Sequence, residues 1–219
     1  MVVLKRVCED VNHIANLKSL LKFYSNNPNN WESEWSVNPY YMVDLKHYGA
    51  GNCMCGHAIR YQFQFLNTVN GKTFPVGSTC VTLLDLPKFS DAIDRLERIN
   101  QMATQDLDTS LNPVEFVKAY RKFYNLENIE ALLSYQQYTP KPYDYSLYQN
   151  YFKKRNLSDY VAGKMKNFIL DVYEASKKFI GGIERNSKPV TQSQVRDMID
   201  DSSQEMLKFA TAKQNKLPF

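Results

Sequence analysis

The apolar positions of this chain follow two different periods, and the switch between them marks how it is organised. Over residues 7 to 24, Val7, Val11, Ile14, Leu17, Leu21 and Tyr24 recur at spacings of three and four, which predicts one face of an amphipathic helix. The run Asn26-Asn27-Pro28-Asn29-Asn30 should stop it, because these residues favour turns. Residues 31 to 50 are aromatic and short-periodic around Pro39, with Trp31, Trp35, Tyr40, Tyr41, Met42 and Val43, and predict one or two strands. The period then becomes two. Ile59, Tyr61, Phe63 and Phe65 alternate with Arg60, Gln62 and Gln64, the pattern of a half-buried strand. Asn67 to Gly71 supplies a hairpin turn, with Asn70-Gly71 suited to positive φ. Thr73 to Val76 reads as the return strand, and Val81 to Leu86 as a short helical segment closed by Pro87.

Beyond Pro87 the period is helical. Ser90 is a candidate N-cap ahead of Ile93, Leu96 and Ile99, with Asp91 and Asp94 suited to the positive end of the helix dipole. Asn112-Pro113-Val114-Glu115 combines an N-cap, proline at the first helical position and a glutamate three after the cap. Phe116, Val117, Tyr120 and Phe123 face inward from that start, and Asn125 should break this helix and begin another through Leu126, Ile129, Leu132 and Leu133. A tyrosine-rich helix is expected over residues 144 to 154. The longest should run from Ser158 to about Ile180, ended by Gly181-Gly182. Thr191 with Gln194 forms a last capping box before Val195, Met198, Ile199, Met206 and Phe209, and residues 211 to 219 read as frayed.

The expected fold class is α+β, mainly α, with a small β-hairpin followed by a helical bundle; because Cys53, Cys55 and Cys80 flank that hairpin, it is expected to be zinc-bound and treble-clef-like. The expected division is 1–90 for the N-terminal helix and hairpin module, 91–138 for a helical segment and 143–219 for a C-terminal helical portion. Between the last two, Thr139-Pro140-Lys141-Pro142 is the candidate linker, since closely spaced prolines favour extended backbone.

Composition changes this picture little. The chain has 219 residues, 43% of them hydrophobic, enough to bury a real core. Its net charge of +4 falls short of the dense basic footprint of a dedicated nucleic-acid binder. Residues 91 to 140 carry 5 basic and 8 acidic groups, whereas residues 141 to 219 carry 14 and 9, so the basic excess lies towards the C-terminus. Met1 to Leu4 are followed at once by Lys5 and Arg6, leaving no apolar run for a secretory leader, and no window reaches the roughly 18 apolar residues of a membrane span. The expectation is a cytoplasmic protein, in which clustered cysteines are metal ligands more often than disulfides.

Three of the four cysteines flank the hairpin, in Cys53-Met54-Cys55-Gly56-His57 and Val76-Gly77-Ser78-Thr79-Cys80. A glycine-containing knuckle and a cysteine at a helix start can bring three thiolates together, and a structural zinc ion asks for four Cys or His ligands in a tetrahedron. Cys53, Cys55 and Cys80 are the expected ligands. His57 is the nearest candidate for the fourth position, with His47, Cys8 and His13 as alternatives. Cys8 alone reads first as a buried free thiol. A catalytic zinc would need an open position with an acid/base group beside it. Neither HExxH nor the HxE and PCxxC pair of zinc deaminases occurs, no phosphate-binding glycine loop precedes a helix, and no nucleophile–base arrangement is visible. A non-enzymatic protein with a structural zinc is the expectation.

The CxCGH knuckle, the alternating strand, the turn from Asn67 to Gly71 and the closing VGSxC together resemble a small zinc module of proteins from Gram-positive phages and mobile elements. The resemblance covers about residues 52 to 86. Zinc-containing phage proteins of this size include inhibitors of type II CRISPR effectors, so it implies an anti-CRISPR that binds Cas9 or its guide-RNA complex in the host cell and hinders target-DNA loading. VGSxC supplies one cysteine, which leaves the fourth ligand open.

The alternative expectation is a zinc-containing nucleic-acid-binding protein. Lys153-Lys154-Arg155 is the tight basic run of the C-terminal portion and lies beside Tyr148, Tyr151 and Phe152, and cations next to aromatic rings can hold single strands by phosphate contact and stacking. The same group, Tyr148, Tyr151, Lys153, Lys154 and Arg155, is the candidate partner-binding surface.

Overall fold

The computed structural model describes the backbone of residues 2–136 and 138–214, with side chains described from His13 to Thr211 apart from Gln137. The fold is α+β, 59% helical and 13% strand, with a small antiparallel sheet. Two compact units divide the chain: residues 1–93 together with 186–219, and residues 94–185. The Thr139–Pro142 stretch lies inside the second unit, and the C-terminal stretch from residue 186 belongs to the first. Among the described residues, no helix is long and apolar enough to cross a membrane.

The first unit opens with α1 (Val2–Phe23). The helix starts before the residue 7 expected from periodicity, and it buries Leu17, Leu20 and Leu21 on one stripe. A 3-10 turn (Pro28–Asn30) and α2 (Trp31–Glu34) follow, so the aromatic stretch contributes a helical turn before its strand, β1 (Trp35–Asp44). Strands β2 (Gly51–Asn52) and β3 (Ala58–Ile59) pair with each other, and β4 (Tyr61–Asn67) forms the predicted hairpin with β5 (Thr73–Val76). The main sheet has the order β1-β4-β5, antiparallel throughout. Its β1–β4 register slips between Val37 and Met42, where Pro39 cannot donate to the ladder. Asn67 closes the hairpin as expected: its Oδ1 accepts from the N–H groups of Val69 and Asn70, and Gly71 takes φ +75°.

Trp35 lies at the centre of this unit, stacked on Phe74 at 5.3 Å, with Phe63, Phe65, Met42 and Val76 also buried. Its indole N–H reaches the Ser25 hydroxyl at 2.9 Å and the Leu21 carbonyl at 3.1 Å, which ties α1 to the sheet.

Two buried polar side chains extend the unit to distant parts of the chain. Gln62 is fully buried, against the simple alternation expected of its strand, because it pairs with a second backbone: Nε2 donates to the Val190 carbonyl at 2.9 Å and Oε1 accepts from the Val190 N–H at 2.7 Å. The Tyr41 hydroxyl lies 2.6 Å from the Lys188 carbonyl beside it. Thr191 and Gln194 make the predicted capping box and start α9 (Gln192–Gln214). Of the stretch expected to fray, residues 215–219 lie outside the described residues, and the helix continues to Gln214.

α3 (Ser78–Leu83) follows the hairpin directly. Pro87 does not close this segment but opens α4 (Pro87–Ala103), which places Ser90 inside the helix and not at its cap. Proline at a first helical position loses no intrahelical bond. Phe89 and Ile93 are buried one turn apart, so packing fixes the earlier start.

In the second unit, Asn112 caps α5 (Pro113–Tyr120) by accepting from the Glu115 N–H, and Asn125 caps α6 (Leu126–Ser134) by accepting from the Asn128 N–H, both as expected. α7 (Pro142–Tyr151) starts at a proline of the supposed linker. α8 (Asp159–Asn186) runs through Gly181-Gly182, because Phe179, Ile180 and Ile183 continue its buried face past the two glycines. Two mid-helix glycines cost about 1 kcal/mol each relative to alanine, less than burying those side chains contributes. Tyr124 and Tyr148 are fully buried, with the Tyr148 hydroxyl donating to the Tyr124 carbonyl at 2.7 Å and the Tyr124 hydroxyl to the Met102 carbonyl at 2.9 Å.

Among the described residues, Glu34 is the acidic group most enclosed in the first unit. Burial alone would push its carboxyl up, but the N–H groups of Asn27 and Asn26, at 2.6 and 2.8 Å, and the Asn67 amide hold it below the usual carboxylate range. A depressed carboxylate stabilises the fold above its unfolded pKa, and that contribution disappears as pH falls through the folded value. Glu34→Gln should therefore lower the melting temperature at pH 7, with the difference shrinking as pH falls through the lowered pKa of the folded carboxyl; thermal unfolding of both proteins from pH 7 into the acid range checks this.

Candidate metal centre

The Cys53–His57 knuckle is built by backbone hydrogen bonds. Gly56 donates to the Cys53 carbonyl at 2.8 Å and Cys53 donates to the His57 carbonyl at 2.7 Å. Closing so short a loop puts Gly56 at φ +97°, a region that a side chain rarely tolerates. Met54 then donates to the Pro75 carbonyl at 2.8 Å, which ties the knuckle to β5. On leaving β5 the chain turns at Gly77, where a Cβ would collide with the Ile59 side chain, and enters α3 with Cys80 in its first turn. The hairpin thus returns the chain to the knuckle from which it left.

Cys53, Cys55 and Cys80 are all buried, and their three sulfurs lie within 4.8 Å of one another. Cys55 Sγ is 3.3 Å from Cys80 Sγ, and Nδ1 of the half-buried His57 is 3.2 Å from Cys80 Sγ. A tetrahedral ion with bonds of about 2.3 Å to sulfur and 2.0 Å to nitrogen implies edges of about 3.8 Å between sulfurs and about 3.5 Å between sulfur and nitrogen. The sulfurs, 3.3 Å apart for Cys55 and Cys80 and within 4.8 Å for all three, span the first edge, so this buried cysteine cluster can hold a metal ion, while the His57–Cys80 spacing falls short of the second edge. Electrostatics agrees with the geometry. Hydrogen bonds from Cys53 and Cys80 bring the Cys55 thiol down to about 3, burial pushes Cys53 up to about 12, and hydrogen bonds to Cys53 and Cys55 push Cys80 up. One thiol ionises readily and its neighbours then resist, a conflict that a bound cation removes.

The sequence alternatives for a fourth ligand separate in space. His47 is exposed in the loop before β2. The Cys8 side chain lies outside the described residues. His13, carried by α1, comes to the knuckle itself: its ring packs on His57 at 4.0 Å between centroids, and its Nδ1 hydrogen-bonds to the Cys55 carbonyl. Periodicity placed His13 on or beside a helix, but nothing local to it signals this 42-residue contact.

A cleft of about 260 Å³ opens onto His57 and Cys80, walled by Tyr48, Arg60, Tyr61, Ser78 and Thr79. Its arginine is already paired, with Nε and Nη2 at 3.0 and 3.1 Å from the Asp44 carboxylate. The candidate partner-binding residues belong to the second unit. Tyr148 is core and offers no surface, whereas Lys153, Lys154 and Arg155 are exposed and Lys154 Nζ lies 4.3 Å from the centre of the half-buried Tyr151 ring. No protein-family model, curated protein or solved structure matches this chain.

If the three sulfurs share an ion, Cys53→Ser and Cys80→Ser should each cost more than about 4 kcal/mol of unfolding free energy, the scale associated with losing a metal and not with one altered side chain. A chelator should bring wild type and variants to within about 1 kcal/mol of each other. Urea unfolding with and without chelator measures both differences.

Proposed function

We propose that Cys53, Cys55, Cys80 and His57 hold a structural zinc ion in a treble-clef-like module, and that the protein works by non-enzymatic binding of a protein partner. The observation that carries this reading is the enclosure of the cluster: three buried thiols and a half-buried imidazole converge from a knuckle and a helix start. Three thiolates and one imidazole complete a tetrahedron and leave no position for substrate. When bound, zinc supplies a cross-link and folding free energy. The residues around it do the rest, with Met54 and Gly77 fixing the module to β5 and β3.

Within that class, the resemblance of residues 52 to 86 makes Cas9, alone or with its guide RNA, the partner we propose, with hindrance of target-DNA loading as the effect. Phage origin and action in the host cytoplasm follow from the same resemblance. The contact surface is assigned to Tyr151, Lys153, Lys154 and Arg155. A nucleic-acid-binding role is the second reading, favoured by the stacking of Lys154 on Tyr151 beside two further exposed cations.

The two readings differ in salt response. Binding dominated by phosphate contacts weakens steeply and log-linearly with salt, whereas an interface anchored by aromatic side chains does not. Pull-down of Cas9 with and without guide RNA, run beside a gel shift on bare single- and double-stranded DNA, should give Cas9 capture that survives a rise from 50 to about 300 mM salt and no shift. Failure to capture Cas9 in either state would remove the first reading, and a salt-sensitive shift would establish the second.

A further inference from the structure

Nothing in the metal-ligand set requires α1, yet α1 reaches the centre. Leu17, Leu20 and Leu21 form its buried stripe, and residues four apart lie on one helical face. His13 is one turn before Leu17, so the packing that seats the stripe also brings this imidazole against the knuckle. Three observations fix it there. Its Nδ1 is bonded to the Cys55 carbonyl, which as an acceptor requires the proton on that nitrogen. Its ring lies 4.0 Å from that of His57, tilted by 44°. Finally, a Cβ at Gly56 would come within 3.3 Å of His13 Cε1, so the knuckle glycine leaves room for the histidine as well as making the turn.

We propose that His13 is a positioning residue of the metal centre, clamping the Cys55-Gly56-His57 backbone and setting the angle of the His57 ring while contributing no ligand atom itself. The inference rests on the zinc-site reading above. Held from Nδ1, the His13 ring blocks rotation of His57 away from Cys80 and fixes the peptide that follows the Cys55 thiolate. Outer partners of this kind change metal affinity by about 10- to 100-fold without changing the ligands. By linkage the effect is reciprocal: the ion that straightens the knuckle also strengthens the seat of α1, so this helix is the part of the fold that senses whether the centre is loaded.

Cobalt(II) is the probe, because its visible bands report the ligand set and titration reports affinity. In the full-length protein, His13→Ala should weaken cobalt binding by about 10-fold or more while leaving band positions and intensities unchanged. His13→Asn, whose amide can still donate to the Cys55 carbonyl, should recover most of that loss and provides a folded comparison if the alanine variant is unstable. His57→Ala should alter the bands themselves. The proposal is overturned if both His13 variants bind cobalt with wild-type affinity, or if His13→Ala changes the bands as His57→Ala does, which would make His13 a ligand. If wild-type protein gives no thiolate–cobalt bands, the metal-site reading fails and this inference with it, a result distinct from the other two.

Discussion

Three thiols buried within 4.8 Å of one another are the constraint on which the first unit depends. Burial withholds water from all three, and once the Cys55 thiol ionises its two neighbours resist following it, a conflict that keeps the cluster from presenting three thiolates on its own. A cation converts that conflict into attraction. The surrounding architecture delivers the sulfurs: a knuckle closed through Gly56, a hairpin whose length returns the chain to its start, and a turn at Gly77 tight against Ile59.

The rest of the unit is fastened to that hairpin by polar contacts of long sequence range. β4 is the central strand, paired with β1 and β5 through its backbone and with residue 190 through the Gln62 side chain. Glu34 gathers Asn26, Asn27 and Asn67 on the other side of the same hairpin. α1 joins at two places, with Leu17 to Leu21 in the core and His13 at the knuckle.

What could be read from the sequence was local. Asn112, Asn125 and the Thr191–Gln194 box act on backbone within three residues of themselves, and each was legible as a cap. The hairpin was legible because its alternation and its Asn-Gly turn are short-range, and the cysteine spacing marked the cluster. The misreadings are places where tertiary burial outweighed a local signal. Pro87 and Gly181-Gly182 looked like helix ends, but Phe89 and Ile183 extend the buried faces of their helices across them. Tyr148 looked like part of a basic aromatic surface, yet its hydroxyl satisfies a buried carbonyl and its ring is core. Gln62 carried no signal of its partner 128 residues away, nor Glu34 of its contact with Asn67, 33 residues away, and His13 was legible only as an alternative ligand, its contact with the knuckle lying 42 residues away.

The central claim is that the cysteine cluster is a structural zinc site, and elemental analysis tests it most directly. Protein purified without added metal and measured by inductively coupled plasma mass spectrometry should carry one zinc per chain, and a Cys53→Ser/Cys55→Ser/Cys80→Ser variant should carry none. Wild-type protein that is folded and free of metal, or zinc retained in full by the triple variant, would contradict the account.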